Sequence, residues 1–183
     1  MTTAGVVLAA GAGRRFGGPK APVLVEGERL VDRAVRVLRA AGCAPVVVVL
    51  GAWVGAVPGA DVVINTEWAT GMGSSLRAGL AALRPRREVH RVVVTLVDLP
   101  GLTPAAVGRL IGSDADLCAA AYDGQRRHPV LLGRRHWPGV ASVATGDAGA
   151  REYLDQHGDE LLLVEVGDVA TGDDLDHPPW RGA

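Results

Sequence analysis

The pattern that most restricts how this chain can fold is a repeated change of hydrophobic period. "AGVVLAAG" is a short apolar run, "RLVDRAVRVLRAAG" carries apolar residues at helical spacing, and "PVVVVLG" and "DVVIN" return to compact β-branched runs. "SSLRAGLAALR" is helical again, and "HRVVVTLVDLP" is a further buried strand. Strands apolar on both faces, alternating with amphipathic helices, predict an α/β fold with a parallel sheet covered on its two sides. In the first helix Val31, Ala34, Val35 and Leu38 share one stripe, Asp32 and Arg36 stand four apart on the solvent side, and Gly42 is the stop. Pro104 after Thr103 marks another helix start, with Thr103 as its cap and Val107, Leu110 and Ile111 on its buried face. Beyond it "DLCAAAY" and "HPVLLG" read as strands, Ala148 to Gln156 as a helix and "ELLLVEV" as the last strand. No repeat or linker is visible, so residues 1–183 are read as one domain.

A formal net charge of −1 and 48% hydrophobic residues suit a full core and offer no bulk field for nucleic acid. Clusters such as "RPRR" read as a solvated arginine face. Residues 40–60 carry no charge, which raises the question of a membrane helix. Gly42, Gly51, Gly55, Gly59, Pro45 and Pro58 interrupt that span, and "PVVVVL" reads instead as a buried strand followed by a loop. Neither nucleic acid nor a membrane is therefore expected as a partner. Cys43 and Cys118 lie far apart without a CxxC spacing, which predicts reduced, buried thiols rather than a metal or disulfide framework. "MTTAGVV" has no basic segment of a signal peptide, so the expected location is the cytoplasm.

Candidate chemistry begins in "LAAGAGRRFGGPKAP", which holds the chain's single lysine, Lys20, among 19 Lys plus Arg. Gly11, Gly13, Gly17 and Gly18 follow the first strand, where an open parallel sheet places its ligand crevice, and Arg14, Arg15 and Lys20 supply countercharge for phosphates. The nucleotide-kinase fingerprint fails, because Pro19 precedes Lys20 and Ala21 follows it. The dinucleotide fingerprint fails too: its third glycine would fall at Phe16, and no acid ends the second strand. Asp98 puts a carboxylate at the carboxyl edge of a central strand, which suits either an oxygen ligand for a phosphate-bound magnesium ion or a strand-end cap or turn acid. The tail offers Asp173, Asp174 and Asp176. In "TGMGSSLRAGL" a turn at Gly71 to Gly73 leads to Ser74 or Ser75 as a helix cap, with free N–H groups able to hold a nucleotide or water and Leu76, Leu80 and Leu83 facing the core.

Together these residues resemble the MobA-like nucleotidyltransferases, most closely the molybdenum cofactor cytidylyltransferase branch. The motif LAAGxGxRxGxPK is matched from Leu8 through Lys20, with Phe16 where Met is usual. "NTEWATGMGSSLRAGL", "LVDLP", "RRHPVLL", "GDAGAR" and "DLDHP" follow in family order. His177 replaces a Thr, Trp180 an acid, and Arg127 stands where Gly usually precedes His-Pro. The resemblance implies a three-layer αβα sandwich with a Rossmann-like, mostly parallel sheet of the nucleotide-diphospho-sugar transferase type. It implies Arg15, Lys20 and Asp98 as catalytic residues. Leu8, Ala9, Ala10, Gly11, Gly13, Lys20, Gly71, Gly73, Ser74 and Ser75 would hold the nucleotide. Asp98 and Asp176 would share Mg²⁺, which requires the two to meet in the fold, and His128 and Asp147 would stand on the acceptor side.

The function implied is transfer of CMP from CTP to a phosphorylated acceptor, molybdopterin, with release of pyrophosphate and a molybdenum hydroxylase as possible partner. CTP is preferred because the opening reads LAAG, where the guanylyl branch reads LAGG. The alternatives are guanylyl transfer to another phosphate acceptor, an NAD(P)H-dependent oxidoreductase of the nicotine blue oxidoreductase type, and a non-catalytic carrier of a bound cofactor.

Overall fold

A computed structural model describes residues 1–177; Trp180 lies outside the described residues. In chain order the elements are β1 (Thr2–Ala9), β2 (Leu24–Val25), β3 (Glu28–Arg29), α1 (Leu30–Ala40), β4 (Val46–Leu50) and β5 (Asp61–Ile64). After a 3-10 turn at Trp68–Thr70 come α2 (Met72–Leu83), β6 (Val89–Leu96), α3 (Pro104–Gly112), β7 (Leu117–Tyr122) and β8 (Gln125–Gly133). The described chain then forms α4 (Trp137–Val143), α5 (Arg151–Gln156) and β9 (Leu162–Glu165).

Seven strands form one sheet in the order β5-β4-β1-β6-β8-β7-β9. Alternate side chains of each strand enter opposite cores. Val7 and Ala9 of β1, and Val46, Val48 and Leu50 of β4, pack with α1 and α3. Ala4, Val6 and Leu8 of β1, and Val47 and Val49 of β4, pack with α2, α4 and α5. The result is the expected three-layer, mostly parallel sandwich. The uncharged span of residues 40–60 yields the fully buried β4 and a loop, and among the described residues no helix is long and apolar enough to cross a membrane. Cys43 and Cys118 are buried free thiols, and burial pushes the Cys43 thiol up to about 12.

Three local expectations are corrected. First, β8 runs antiparallel to both β6 and β7. Tyr122 pairs with Gln125 across a two-residue turn in which Asp123 and Gly124 have φ of 51° and 73°, and the Asp-Gly dipeptide is the hairpin signal that makes this reversal. Second, Asp32 and Arg36 do not pair with each other. The β2–β3 ribbon brings up better partners: Arg29 Nη2 donates to Asp32 Oδ1 at 2.8 Å and Arg36 Nε to Glu28 Oε1 at 2.8 Å. Third, α4 is a helix where none was expected; its seven residues span too few turns for a clear stripe, although Pro138 sits at its first turn.

Candidate active site

The strand order reverses at β1, whose neighbours are β4 and β6, and a crevice opens beyond its carboxyl end. There the glycine loop folds back on itself: the N–H groups of Gly17 and Gly18 donate to the carbonyl of Gly13 at 2.8 and 3.1 Å. Gly13 has φ of 57° and lies so close to the Gly18 carbonyl that a Cβ would collide with it. Among the described residues the amides of Gly11, Ala12 and Gly13 donate to no protein acceptor. These residues, with Leu8, Ala9, Ala10, Lys20, Gly71, Ser75 and Asp98, line a cavity of about 360 Å³. Across its floor Lys20 Nζ lies 2.7 Å from Asp98 Oδ2, with the two side chains only 16% and 18% exposed.

The wall from α2 departs from expectation. Neither serine caps the helix; Gly71 does, at φ 113°, and no side-chain oxygen accepts there. A Cβ on Gly71 would strike the backbone of Gly146. The first amides of α2 are already engaged by the chain: Met72 N–H donates to Asp147 Oδ1 at 3.3 Å, Gly73 N–H to the Gly146 carbonyl at 2.8 Å and Ser74 N–H to the Gly71 carbonyl at 3.2 Å. Asp147 therefore complements the positive end of the helix. Ser75 lines the first cavity, whereas Gly73 and Ser74 line neither cavity and serve the helix start. Asn65, given no role in the sequence reading, is buried and organises this corner. Its Nδ2 donates to Ser74 Oγ at 2.8 Å and Ser75 Oγ at 3.1 Å, while its Oδ1 accepts from Glu67 N–H at 2.9 Å.

A second cavity, of about 450 Å³, adjoins the first and shares Leu8, Met72, Leu96 and Asp147 with it. Its floor is aliphatic, from residues such as Leu76, Val94, Val130 and Leu154, and its other lining includes Arg15, Arg126, Arg127, Arg151, His128 and Asp174. Arg15 thus lines the second cavity, whereas Arg14 and Lys20 line the first. Arg126 pairs with Asp155 at 2.6 Å, and Arg127 donates to the Gly172 carbonyl at 3.1 Å. Arg15 and Arg151 make no side-chain ion pair or hydrogen bond among the described residues. His128 and Pro129 fall in the register shift of β8 against β7, between the pairs Ala119–Val130 and Ala120–Arg127. Burial holds the His128 imidazole below its ordinary value, with the nearby Asp98 charge opposing in part, so the ring is neutral at pH 7.

The tail returns to the strand end, where Leu175 N–H donates to the Asp98 carbonyl at 2.9 Å. Asp174 has its carboxyl raised by partial burial and then by the charges of Asp98 and Asp176, with Lys20 and Arg127 opposing. Asp174 lines the second cavity, and Asp176 is exposed and lines neither. Among the described residues no group of three or more His, Cys, Asp or Glu is arranged to hold a metal by itself. The carboxylates of Asp98, Asp174 and Asp176, with Asp98 open toward the first cavity, nevertheless fit a hard divalent cation whose remaining ligands are phosphates and water.

Similarity to known proteins follows the same outline. The family described as the MobA-like NTP transferase domain matches residues 5–161. The chain is 40% identical over 188 residues to nicotine blue oxidoreductase of Paenarthrobacter nicotinovorans, covering 94% of this chain and 91% of that protein. It is 38% identical over 112 residues to a probable molybdenum cofactor guanylyltransferase of Opitutus terrae, a match covering 58% and 53% of the two chains. Among solved structures, Rv0371c of Mycobacterium tuberculosis superposes with a TM-score of 0.77 at 28% identity, covering 95% and 93%, and the same protein has been solved in complex with manganese. A Methanothermobacter nucleotidyl transferase, at 20% identity, shares the fold with a TM-score of 0.80 over 96% and 92% of the chains.

Proposed function

The chain belongs to the family of MobA-like NTP transferase domains, and from that premise we propose that it transfers CMP from CTP to the phosphate of a small-molecule acceptor, molybdopterin, releasing pyrophosphate. The observation that carries this reading is the meeting of Lys20 and Asp98, 78 residues apart, in a glycine-walled cavity that opens into a second cavity lined with arginines. An acceptor phosphate oxygen forms a bond to the α-phosphorus, the bond from that phosphorus to the bridging oxygen breaks, and the electron pair leaves on pyrophosphate. Positioning and charge neutralisation are the main tasks left to the protein. The open amides of Gly11 to Gly13 and the Lys20 ammonium hold the phosphates and take up their developing charge. Arg15, His128 and Asp147 stand on the acceptor side, the first two in the second cavity and the third where the cavities join.

Asp98 and Asp176 would hold a divalent cation, Mg²⁺, with Asp174 beside them. When bound it would supply a double positive charge that offsets part of the triphosphate's negative charge. The reading places the protein in the cytoplasm, where a molybdenum hydroxylase could receive the product.

The test is pyrophosphate release with each of the four NTPs, Mg²⁺ and molybdopterin or another phosphorylated acceptor. CTP is expected to be fastest; a preference for GTP, the base implied by the name of the Opitutus relative, overturns the choice of base alone. No release with any NTP and acceptor overturns the transfer itself.

The nicotine blue oxidoreductase relative supports a second reading, an NAD(P)H-dependent reductase whose glycine loop takes the dinucleotide diphosphate. Against it, Phe16 occupies the place of the third glycine, and β4 runs from Leu50 into Gly51 without the acid that would bind a ribose. Oxidation of NADPH by a dye acceptor, with no Mg²⁺-dependent turnover of CTP, would decide for it. Tight cofactor binding with no turnover of either kind would mark a carrier.

A further inference from the structure

We propose that the Lys20–Asp98 ion pair is a resting lock, so that a divalent cation and a triphosphate each bind weakly alone and tightly together. The inference rests on the reading of Asp98 as a cation ligand. Lys20 Nζ sits 2.7 Å from Asp98 Oδ2, and both side chains are largely withdrawn from water. At that distance a cation arriving at Asp98 meets an ammonium already on the carboxylate, and two like charges in a poorly solvated cavity repel strongly. A cation on its own must therefore displace Lys20 and leave it without a carboxylate partner, with only the face of the Phe16 ring, 5.6 Å away, to attract the ammonium. A triphosphate on its own competes with Asp98 for the same ammonium. Arriving together, they exchange partners: the phosphates take Lys20 and Asp98 takes the cation.

The choice of side chain supports an exchanging rather than a fixed partner. Of the 19 Lys plus Arg in this chain, only position 20 is lysine. A guanidinium would bind the carboxylate with a planar two-pronged fork, whereas an ammonium is a point charge on a flexible stem with three rotatable donors.

Titration with Mn²⁺, followed by the electron paramagnetic resonance of the free ion, tests the lock without recourse to turnover. In the wild-type protein CTP should tighten Mn²⁺ binding by about tenfold, after allowance for Mn²⁺ held by free CTP. Lys20→Met should bind Mn²⁺ alone about tenfold more tightly than wild type and lose the coupling to CTP. Lys20→Arg, which keeps the charge, should bind Mn²⁺ alone no more tightly than wild type; melting curves confirm that each variant is folded. Unchanged or weaker Mn²⁺ binding by a folded Lys20→Met, with wild type still binding Mn²⁺ in the presence of CTP, overturns the lock and leaves the nucleotidyltransferase reading standing. Absence of Mn²⁺ binding from all three proteins, with or without CTP, overturns both.

Discussion

The two cavities share Leu8, Met72, Leu96 and Asp147, yet they are made of different material. The first is rich in small residues, with Ala9 to Gly13 at the end of β1 and Ala69 and Gly71 ahead of α2, and it carries the Lys20–Asp98 ion pair on its floor with Arg14 and Trp68 also on its lining. The second is mostly side chain, with aliphatic residues from five elements under guanidinium groups from the glycine loop, β8 and α5. Backbone amides bind phosphate whatever heterocycle it carries, while a pocket of side chains has a shape and a charge pattern that select. On the proposed reading, the first cavity would take the nucleotide's phosphates and the second would choose the acceptor.

The largest effect should separate them. Lys20→Ala and Asp98→Ala are each expected to lower kcat by about 10²-fold or more, because both remove charge stabilisation at the reacting phosphates. Pyrophosphate release at saturating concentrations of both substrates measures this. A rise in acceptor KM with kcat intact would place the ion pair in the wrong cavity. Arg151→Ala should act the other way, raising acceptor KM about tenfold, the worth of one charge-assisted hydrogen bond, with CTP KM unchanged. Arg15→Ala sharpens the boundary: where the structure places it, it should follow Arg151, and a change in CTP KM instead would mean that the loop closes over the nucleotide.

Asn65→Ala affects the wall of the first cavity and the start of α2 rather than either reaction partner. It removes two donor contacts to Ser74 and Ser75 and an acceptor for Glu67 N–H, in a buried setting. A loss of about 1–3 kcal/mol in unfolding free energy is expected from denaturant titration. A wild-type midpoint would show that the serines and the Glu67 amide find other partners.

How much of this was readable follows from the same contrast. A main-chain cradle needs consecutive residues that tolerate close approach, so the loop from Leu8 to Lys20 appears in the sequence as one continuous motif, and Asp98 appears as a carboxylate ending an apolar strand. The layer arrangement was legible because strands such as β1 and β4 feed both cores and so read as unbroken apolar runs between amphipathic helices. What was not legible depended on partners supplied from elsewhere. Lys20 reads as a phosphate ligand, and only folding shows it on Asp98. Ser74 and Ser75 have the chemistry of caps, but Gly71 takes that position because Gly146 packs against it and Asn65 claims both hydroxyls. Asp32 and Arg36 are well spaced for each other and are drawn away by Arg29 and Glu28. Arg151 in α5 meets Arg126 and Arg127 only because the Asp123-Gly124 hairpin turns β8 back along β7.

The smallest expected effect concerns whether the second cavity's positive charge depends on pH. His128 lines it, and burial lowers its pKa from the ordinary 6.5, so above that pH the ring is neutral in both the folded and unfolded chain. As the pH falls through 6.5 the unfolded chain takes up the proton first, so the unfolded state binds more protons and folding stability falls; none of this contribution is lost above pH 6.5. The slope from one such group cannot exceed about 1.4 kcal/mol per pH unit. His136, also lowered by burial, adds a slope of the same sign, so the measurable quantity is the difference between wild type and His128→Gln in denaturant titrations at and below pH 6.5. The variant should lose less stability on acidification. Through the neutral range the acceptor KM of the wild type should stay flat, because guanidinium groups alone carry the cavity's positive charge there. Acceptor binding that tightens as pH drops toward 6.5, and does so only with His128 present, would make the imidazole a charged member of the acceptor site and end the picture of a pocket that selects by fixed charge.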